Sequence, residues 1–195
     1  FITGSNAKLL SSEISTSLTG RNKELKLYPF SFREYLRFRG EDFDTEKLSS
    51  GNKALLHSEF NNYISYGGFP LVVKENDLEL INSYFQDILY RDIISRYNLK
   101  QVNEVREIAL YFASNNGKLF SYSTLQKVTG IKSRNSISDY LSYYEESFLF
   151  FFLKKFDYSF KKQIMNPRKV YSIDPSIPHR LGFNFSSNKG RILEN

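Results

Sequence analysis

The chain has 195 residues, enough for one large domain or two small ones, and its 41% hydrophobic and 25% charged content is ordinary for a soluble globular protein. It has no Cys, which excludes a disulfide framework and a thiolate metal site and fits a reducing cytoplasm. Its longest apolar run, Phe148 to Leu153, is six residues, far short of a membrane span, so no membrane partner is expected. The net charge of +6 is localised: between Lys100 and Val170 twelve Lys and Arg face six Asp and Glu, while the rest of the chain holds fifteen of each. A surplus confined to one stretch points to an anionic partner there, or else to a solvated basic face. With 18 Phe, 14 Tyr, one Met and no Trp, aromatic rings must supply much of the core.

In chain order, "FITGS" reads as a strand end and a turn, and "SNAKLLSSEISTSL" as a helix closing on Thr19-Gly20-Arg21. Leu25 and Leu27 alternate as in a strand. Ser31 and Glu34 then have capping-box spacing, so a helix is expected from Phe32. "GEDFDTEKLSSGNK" is a polar loop whose acids, Glu41, Asp42, Asp44 and Glu46, lack the glycine and closing Glu of a calcium loop. "ALLHSEFNNYISYGGFP" reads as a helix ending at Gly67-Gly68, with Pro70 as a stop. "DLELINSYFQDILYRDIISRYNL" is a long helix with Leu80, Tyr84, Ile88 and Ile93 along one face, and Arg91 with Asp92 suggests an ion pair.

Three helices follow. Val102, Val105, Ile108, Ala109 and Phe112 form a stripe that ends at Gly117. A short second helix places Leu125 and Val128 inward and closes at Gly130. A third carries Ile137, Tyr140, Leu141, Tyr144 and Phe148 at helical spacing, joined to the second by the tight "TGIKS". This is helix-turn-helix grammar. "FLFFFLKKFDYSFKKQ" reads as one strand and a basic hairpin turning near Asp157-Tyr158, and "RKVYSID" as a further strand. The expected fold is mainly α: a helical lid or linker, then a winged helix-turn-helix with a β-wing, flanked by remnants of α/β domains.

In a winged helix that binds DNA, the third helix enters the major groove and the wing lies along the backbone or minor groove. Lys132, Arg134 and Asn135 lie at the start of that helix here, with Ser133 among them. Arg and Asn can pair bidentately with guanine and adenine edges, and Lys with phosphate. Lys154, Lys155, Lys161 and Lys162 flank the expected hairpin turn, interleaved with Phe156, Tyr158 and Phe160. The same grammar serves protein-packing modules, in which such lysines only solubilise a wing, so double-stranded DNA and a protein surface both stand as expected partners. His57 and His179, the only histidines, have no ligand-spaced neighbours, and no metal site is expected. There is no G-x-x-x-x-G-K-[ST], so the chain does not bind and hydrolyse a nucleotide in the P-loop manner alone.

The stretches "ITGSNAKLLSSEISTSLTGR", "LYPFSFREYL", "YGGFP", "DILYRDIISRYN", "KVYSIDPSI" and "NKGRILEN", in this order, resemble bacterial and archaeal AAA-type ATPases with a C-terminal domain of unknown function. The resemblance covers almost the whole chain. It implies that the strand ending in Thr3-Gly4-Ser5 is the sensor strand of an ATPase core. Ser5 or Asn6 would then position the attacking water near the γ-phosphate, and Arg21 would act as an arginine finger. Read without the resemblance, Ser5 and Asn6 are a turn and an N-cap, and Arg21 is a helix-end cation. In that family the Walker motifs precede residue 1, and the chain continues past "GRILEN" into a restriction-endonuclease-like domain on whose first helix Glu194 would lie.

The expected segments are an ATPase-core remnant (1–22), a helical lid or linker (23–100), a winged helix (101–165) and the start of a nuclease-like domain (166–195). The chain reads as the middle of a cytoplasmic ATPase, not catalytic alone, with ATP and Mg²⁺ expected only for the longer protein and self-association through the ATPase as a further partner. Its expected role is to link an ATP-binding core to a winged helix with DNA binding. The alternative is an ATP-driven switch whose winged helix packs on protein.

Overall fold

The computed structural model describes residues 25–41 and 49–182. Phe1 and Ile2, the candidates Ser5, Asn6 and Arg21, the acidic positions Asp42, Asp44 and Glu46, and Glu194 lie outside the described residues. The described chain is mainly α with one small antiparallel sheet.

Leu25 and Leu27 are exposed and form no strand, because alternation without a partner strand gives no ladder. α1 (Phe32–Phe38) begins where the capping box places it: Ser31 caps the Glu34 N–H, and Glu34 accepts from the Ser31 N–H at 2.8 Å. α2 (Ser50–Tyr66) is capped by Ser49 and ends at Gly67. Pro70 opens α3 (Pro70–Glu75) and does not stop the chain; at the first helical position its missing N–H has no bond to lose. α4 (Glu79–Asp87) runs on without a break into a π-helical stretch, Ile88–Ser95. The buried stripe there is Ile81, Phe85, Leu89 and Ile93, one position off the expected face, and Leu80, Tyr84 and Ile88 are half-buried beside it. The wider i→i+5 turn keeps residues four apart in line through Ile93. It also buries Asp92, which Arg91 meets at 3.2 Å as the expected ion pair and Arg96 approaches at 3.9 Å.

α5 (Val102–Ser114) is followed by β1 (Leu119–Phe120), α6 (Tyr122–Thr129) and α7 (Arg134–Glu146). Leu125 is buried as expected, but Val128 is 58% exposed, and Ile131 in the following turn is the buried residue instead. Gly130 closes α6 in the left-handed region, φ 73°. Ile137, Tyr140, Leu141 and Tyr144 all face the core, whereas Phe148 lies past the helix end with φ 58° and is half-buried. Leu149 takes the fully buried place.

β2 (Phe150–Lys154) and β3 (Arg168–Ser172) complete a sheet of order β1-β3-β2. The expected hairpin between them is instead a longer connection containing α8 (Phe160–Met165), capped by Ser159. Asp157 organises it: its carboxylate accepts from the Ser159 N–H at 2.9 Å and its carbonyl from Gln163 Nε2 at 2.6 Å. These local bonds outcompete a continued ladder, which ends at the pair Lys154–Arg168. The Lys pairs therefore do not flank a tight turn; Lys154 ends β2, Lys155 follows it, and Lys161 and Lys162 ride on α8. Phe112 centres the core, with the rings of Phe120, Phe150, Phe152 and Tyr144 between 4.9 and 6.1 Å away. The same cluster includes Ile81, Phe85, Leu89 and Ile93, so it spans the expected boundary at residue 100. The boundary expected at residue 165 falls between two paired strands, and α9 (Ser176–Leu181) packs on α2, α4 and α5.

One buried corner joins the first helices to the last. Asp174 accepts from the Gly68 N–H at 2.7 Å, the Ser176 N–H at 2.9 Å and the Ser176 hydroxyl. The Gly68 carbonyl in turn accepts from the Phe30 N–H at 2.7 Å. Neither glycine leaves room for a Cβ: at Gly67, with φ 73°, it would overlap the Asp174 carboxylate, and at Gly68 the Phe30 carbonyl. Burial pushes the Asp174 carboxyl above its usual range, and the bonds from Ser176 and Gly68 offset only part of that.

Two expectations follow from this corner. Gly68→Ala should lower unfolding free energy by more than about 2 kcal/mol, because the clash is with backbone; a urea midpoint equal to wild type would remove the corner from the fold's stabilising contacts. Asp174→Asn sets an amide NH₂ against N–H donors and should cost about 1–3 kcal/mol at neutral pH. Because the folded-state value is raised, the folded chain binds the extra proton, so stability contributed by Asp174 is fully present below the unfolded value of 3.8 and is lost as pH rises through the raised value. The gap between wild type and Asp174→Asn should therefore narrow with rising pH across that window, as read by denaturant titrations at several pH values.

Candidate nucleic-acid interface

α7 starts at an exposed corner and is fixed from beneath. The Ser133 hydroxyl accepts from the Ser136 N–H at 3.1 Å, so Ser133 is committed as the cap, while Lys132, Arg134 and Asn135 are exposed around it. Gln126 Nε2 donates to the Lys132 carbonyl at 2.7 Å and ties the turn to α6. On the inner side, the Tyr140 hydroxyl donates to Glu104 at 3.1 Å and the Tyr144 hydroxyl to the Val105 carbonyl. Burial, reinforced by the Glu104 charge, pushes the Tyr140 phenol up to about 12, so it stays a neutral donor at physiological pH. Helix α7 is thus held against α5 while its first turn faces outward.

The sheet brings further cations to that corner. Arg168, the first residue of β3, lies opposite Phe120 on β1 and opposite Lys154 on β2. Strand alternation puts Arg168 on the face of Val170 and Lys154 on that of Phe152, both facing the helices. The Arg168 guanidinium reaches the ring of Tyr122 at 5.6 Å, and Arg134 covers the same ring at 4.7 Å. Around them is a cleft of about 170 Å³ lined by Phe120 to Ser123, Gln126, Arg134, Met165, Asn166 and Arg168. No carboxylate is among the lining residues.

Among the described residues, none of Lys132, Arg134, Lys154, Lys155, Lys161, Lys162 or Arg168 has an ion-pair partner within 4.0 Å. The acid whose titration feels them is Glu145: lost solvation pushes its carboxyl up, while the Phe152 N–H and then Arg168 and Lys154 pull it back. The connection between β2 and β3 also exposes apolar groups. Phe156 and Tyr158 meet edge-on at 5.4 Å, and they, Phe160 and Met165 are all largely exposed.

The structure thus joins Arg134 to a residue the sequence reading passed over, Arg168, through Tyr122. The pattern of "RKVYSID" predicts only a strand, although Arg168 opens it as Lys154 closes the one before. Among the described residues no three of His, Asp and Glu come together to hold a metal ion. No helix among the described residues is long and apolar enough to cross a membrane.

Uncharacterized protein MJ1544 of Methanocaldococcus jannaschii is 37% identical over 204 residues, which cover 100% of this chain and 45% of that protein. An uncharacterized protein of Haemophilus influenzae is 33% identical over 201 residues, covering 100% of this chain and 48% of its own length. A second Methanocaldococcus jannaschii protein, MJ1637, is 20% identical over 207 residues, covering 93% and 43%. The chain therefore spans about half the length of the curated relatives it matches. No solved structure matches. The AAA domain family matches residues 1–36. The family of domains of unknown function DUF8612 matches residues 57–188, from the middle of α2 to beyond α9, and the chain belongs to that family.

Proposed function

We propose that this chain is the coupling segment of an AAA-type ATPase and that residues 102–172 form a winged helix whose exposed basic face binds double-stranded DNA. The AAA match at residues 1–36 supports the ATPase context. The element order helix, strand, two helices, strand, short helix, strand, with the last strand central in the sheet, supports the winged helix. One observation carries the DNA reading: the cations of residues 132–168 gather around the first turn of α7 and the β2–β3 connection and, among the described residues, none has an ion-pair partner within 4.0 Å. Cations left unpaired on one face favour a polyanion, and an α-helix fits the major groove. Lys132, Arg134 and Asn135 then face base edges and phosphates, and Lys154, Lys155, Lys161 and Lys162 face the backbone. Arg134 is suited to this because stacking on Tyr122 restrains the guanidinium while its N–H edge stays available. ATP and Mg²⁺ belong to the longer protein in this reading, with Ser5, Asn6 and Arg21 near the nucleotide.

The exposed Phe156, Tyr158 and Phe160 favour the second reading, an ATP-driven switch whose winged helix packs on protein. Duplex binding measured against salt decides between them. On the DNA reading, log K falls linearly with log salt, and Lys154→Ala with Lys155→Ala reduces the slope by about 1.8, two phosphate contacts' worth. No binding to any duplex at low salt ends that reading and leaves the protein-packing one.

A further inference from the structure

The cleft at Tyr122 asks for an account beyond groove contacts. Two guanidinium groups from distant parts of the chain sit over one ring, at 4.7 and 5.6 Å. Beside them Lys154 lies directly opposite Arg168 on the same sheet face, an arrangement of like charges that destabilises a strand pair. The fold brings two cations, Arg134 and Arg168, into the lining of the cleft, with Lys154 outside it, and supplies no lining carboxylate to neutralise them. Glu145 moderates Arg168 and Lys154 from outside the cleft but does not line it. Ser121 is committed to capping α6, accepting from the Thr124 N–H at 3.1 Å, and Gln126 to the turn before α7. The donors that remain turned to the cleft are therefore chiefly the two guanidinium forks. The cleft, about 170 Å³, has room for a group well beyond a single water.

We propose that this cleft binds one phosphate group, gripped by Arg134 and Arg168 together, with Tyr122 as the platform that restrains both. Planar guanidinium groups match phosphate oxygens bidentately, which a surface lysine does not. Read together with the DNA proposal, on which this assignment rests, the group is a backbone phosphodiester beside the groove that α7 enters. Since Arg168 stands on the central strand and Arg134 on the helix, that one contact sets the register of the whole module on the duplex. A free phosphate ester offers the same chemistry, and the experiment separates the two sources.

The full chain is titrated with inorganic phosphate and, separately, with a short duplex, reading the Arg Nε–Hε and Tyr122 ring resonances. Saturable shifts of Arg134, Arg168 and Tyr122 with both ligands are expected. Arg168→Ala should weaken duplex binding about tenfold and lower the salt slope by about 0.9, while Arg168→Lys, which keeps the charge and the folded sheet but lacks the fork, should recover the slope without the full affinity. A saturable response to phosphate with no duplex binding would end the DNA reading and leave the cleft as a site for a free phosphate ester. Duplex binding whose slope and affinity ignore Arg168→Ala, or resonances that neither ligand moves, would overturn the cleft proposal. In the first of these cases the DNA reading would survive it.

Discussion

The packing of Phe112 against Phe120, Phe150, Phe152 and Tyr144 is the contact on which the rest depends. These rings come from α5, β1, β2 and α7, so one buried side chain relates both of those helices to the sheet. A chain without Trp and with a single Met has few other ways to fill that volume. Aromatic rings hold edge-to-face geometry more strictly than aliphatic chains do, and the cluster therefore fixes orientation as well as burial. The consequence reaches the surface. Phe120 is buried in this cluster while its neighbour two positions on, Tyr122, carries the guanidinium groups, so the Tyr122 cleft inherits its geometry from the core.

The Asp174 corner does the same for the first helices. It ties the end of α2 to the start of α9 through a carboxylate that burial disfavours and three donors stabilise. Three of the stretches that carried the family resemblance, around Phe30, Gly67-Gly68 and Asp174, meet at this one point. Their residue types are explained by packing: two glycines because no Cβ fits, and a short acid because its two oxygens must reach amides of separate segments. That account makes them structural.

What was legible in the sequence was local. Ser31 with Glu34, the close at Gly130 and the stripe Ile137, Tyr140, Leu141 and Tyr144 each depend on residues within a few positions, and each stands where the spacing placed it. The misreadings came from non-local or competing effects. In α4 the buried residues, Ile81 and Phe85, lie one position on from the expected Leu80 and Tyr84, and the face rejoins the expected one at Ile93 within the π-helical stretch, whose wider turn a 3.6-residue period does not register. Asp157 and Ser159 redirect a run that reads as a hairpin into α8 by satisfying backbone groups locally. At the candidate site, Arg134 was legible from helix position alone. Arg168 was not, since its meeting with Tyr122 depends on β3 crossing between β1 and β2, a pairing between positions far apart in the chain.

Charge placement gives the basic face its meaning. A surface lysine that merely aids solubility needs no particular neighbour, and scattering such charges lowers their mutual repulsion. Here the fold does the reverse: β-pairing sets Lys154 against Arg168, and one tyrosine ring draws Arg168 and Arg134 together. Acids are present nearby, yet Glu104 is used inside to hold Tyr140, and Glu146 accepts from Tyr97 at 2.5 Å. These two acids are thus used in joining helices, and Glu145, which does interact with Arg168 and Lys154, does not line the cleft. An arrangement that concentrates like charge in a lined cleft is stabilised by an anion arriving from outside. The exposed Phe156 and Tyr158 of the β2–β3 connection add apolar contact area, and on the proposed DNA reading a phosphate backbone supplies many such charges at regular spacing.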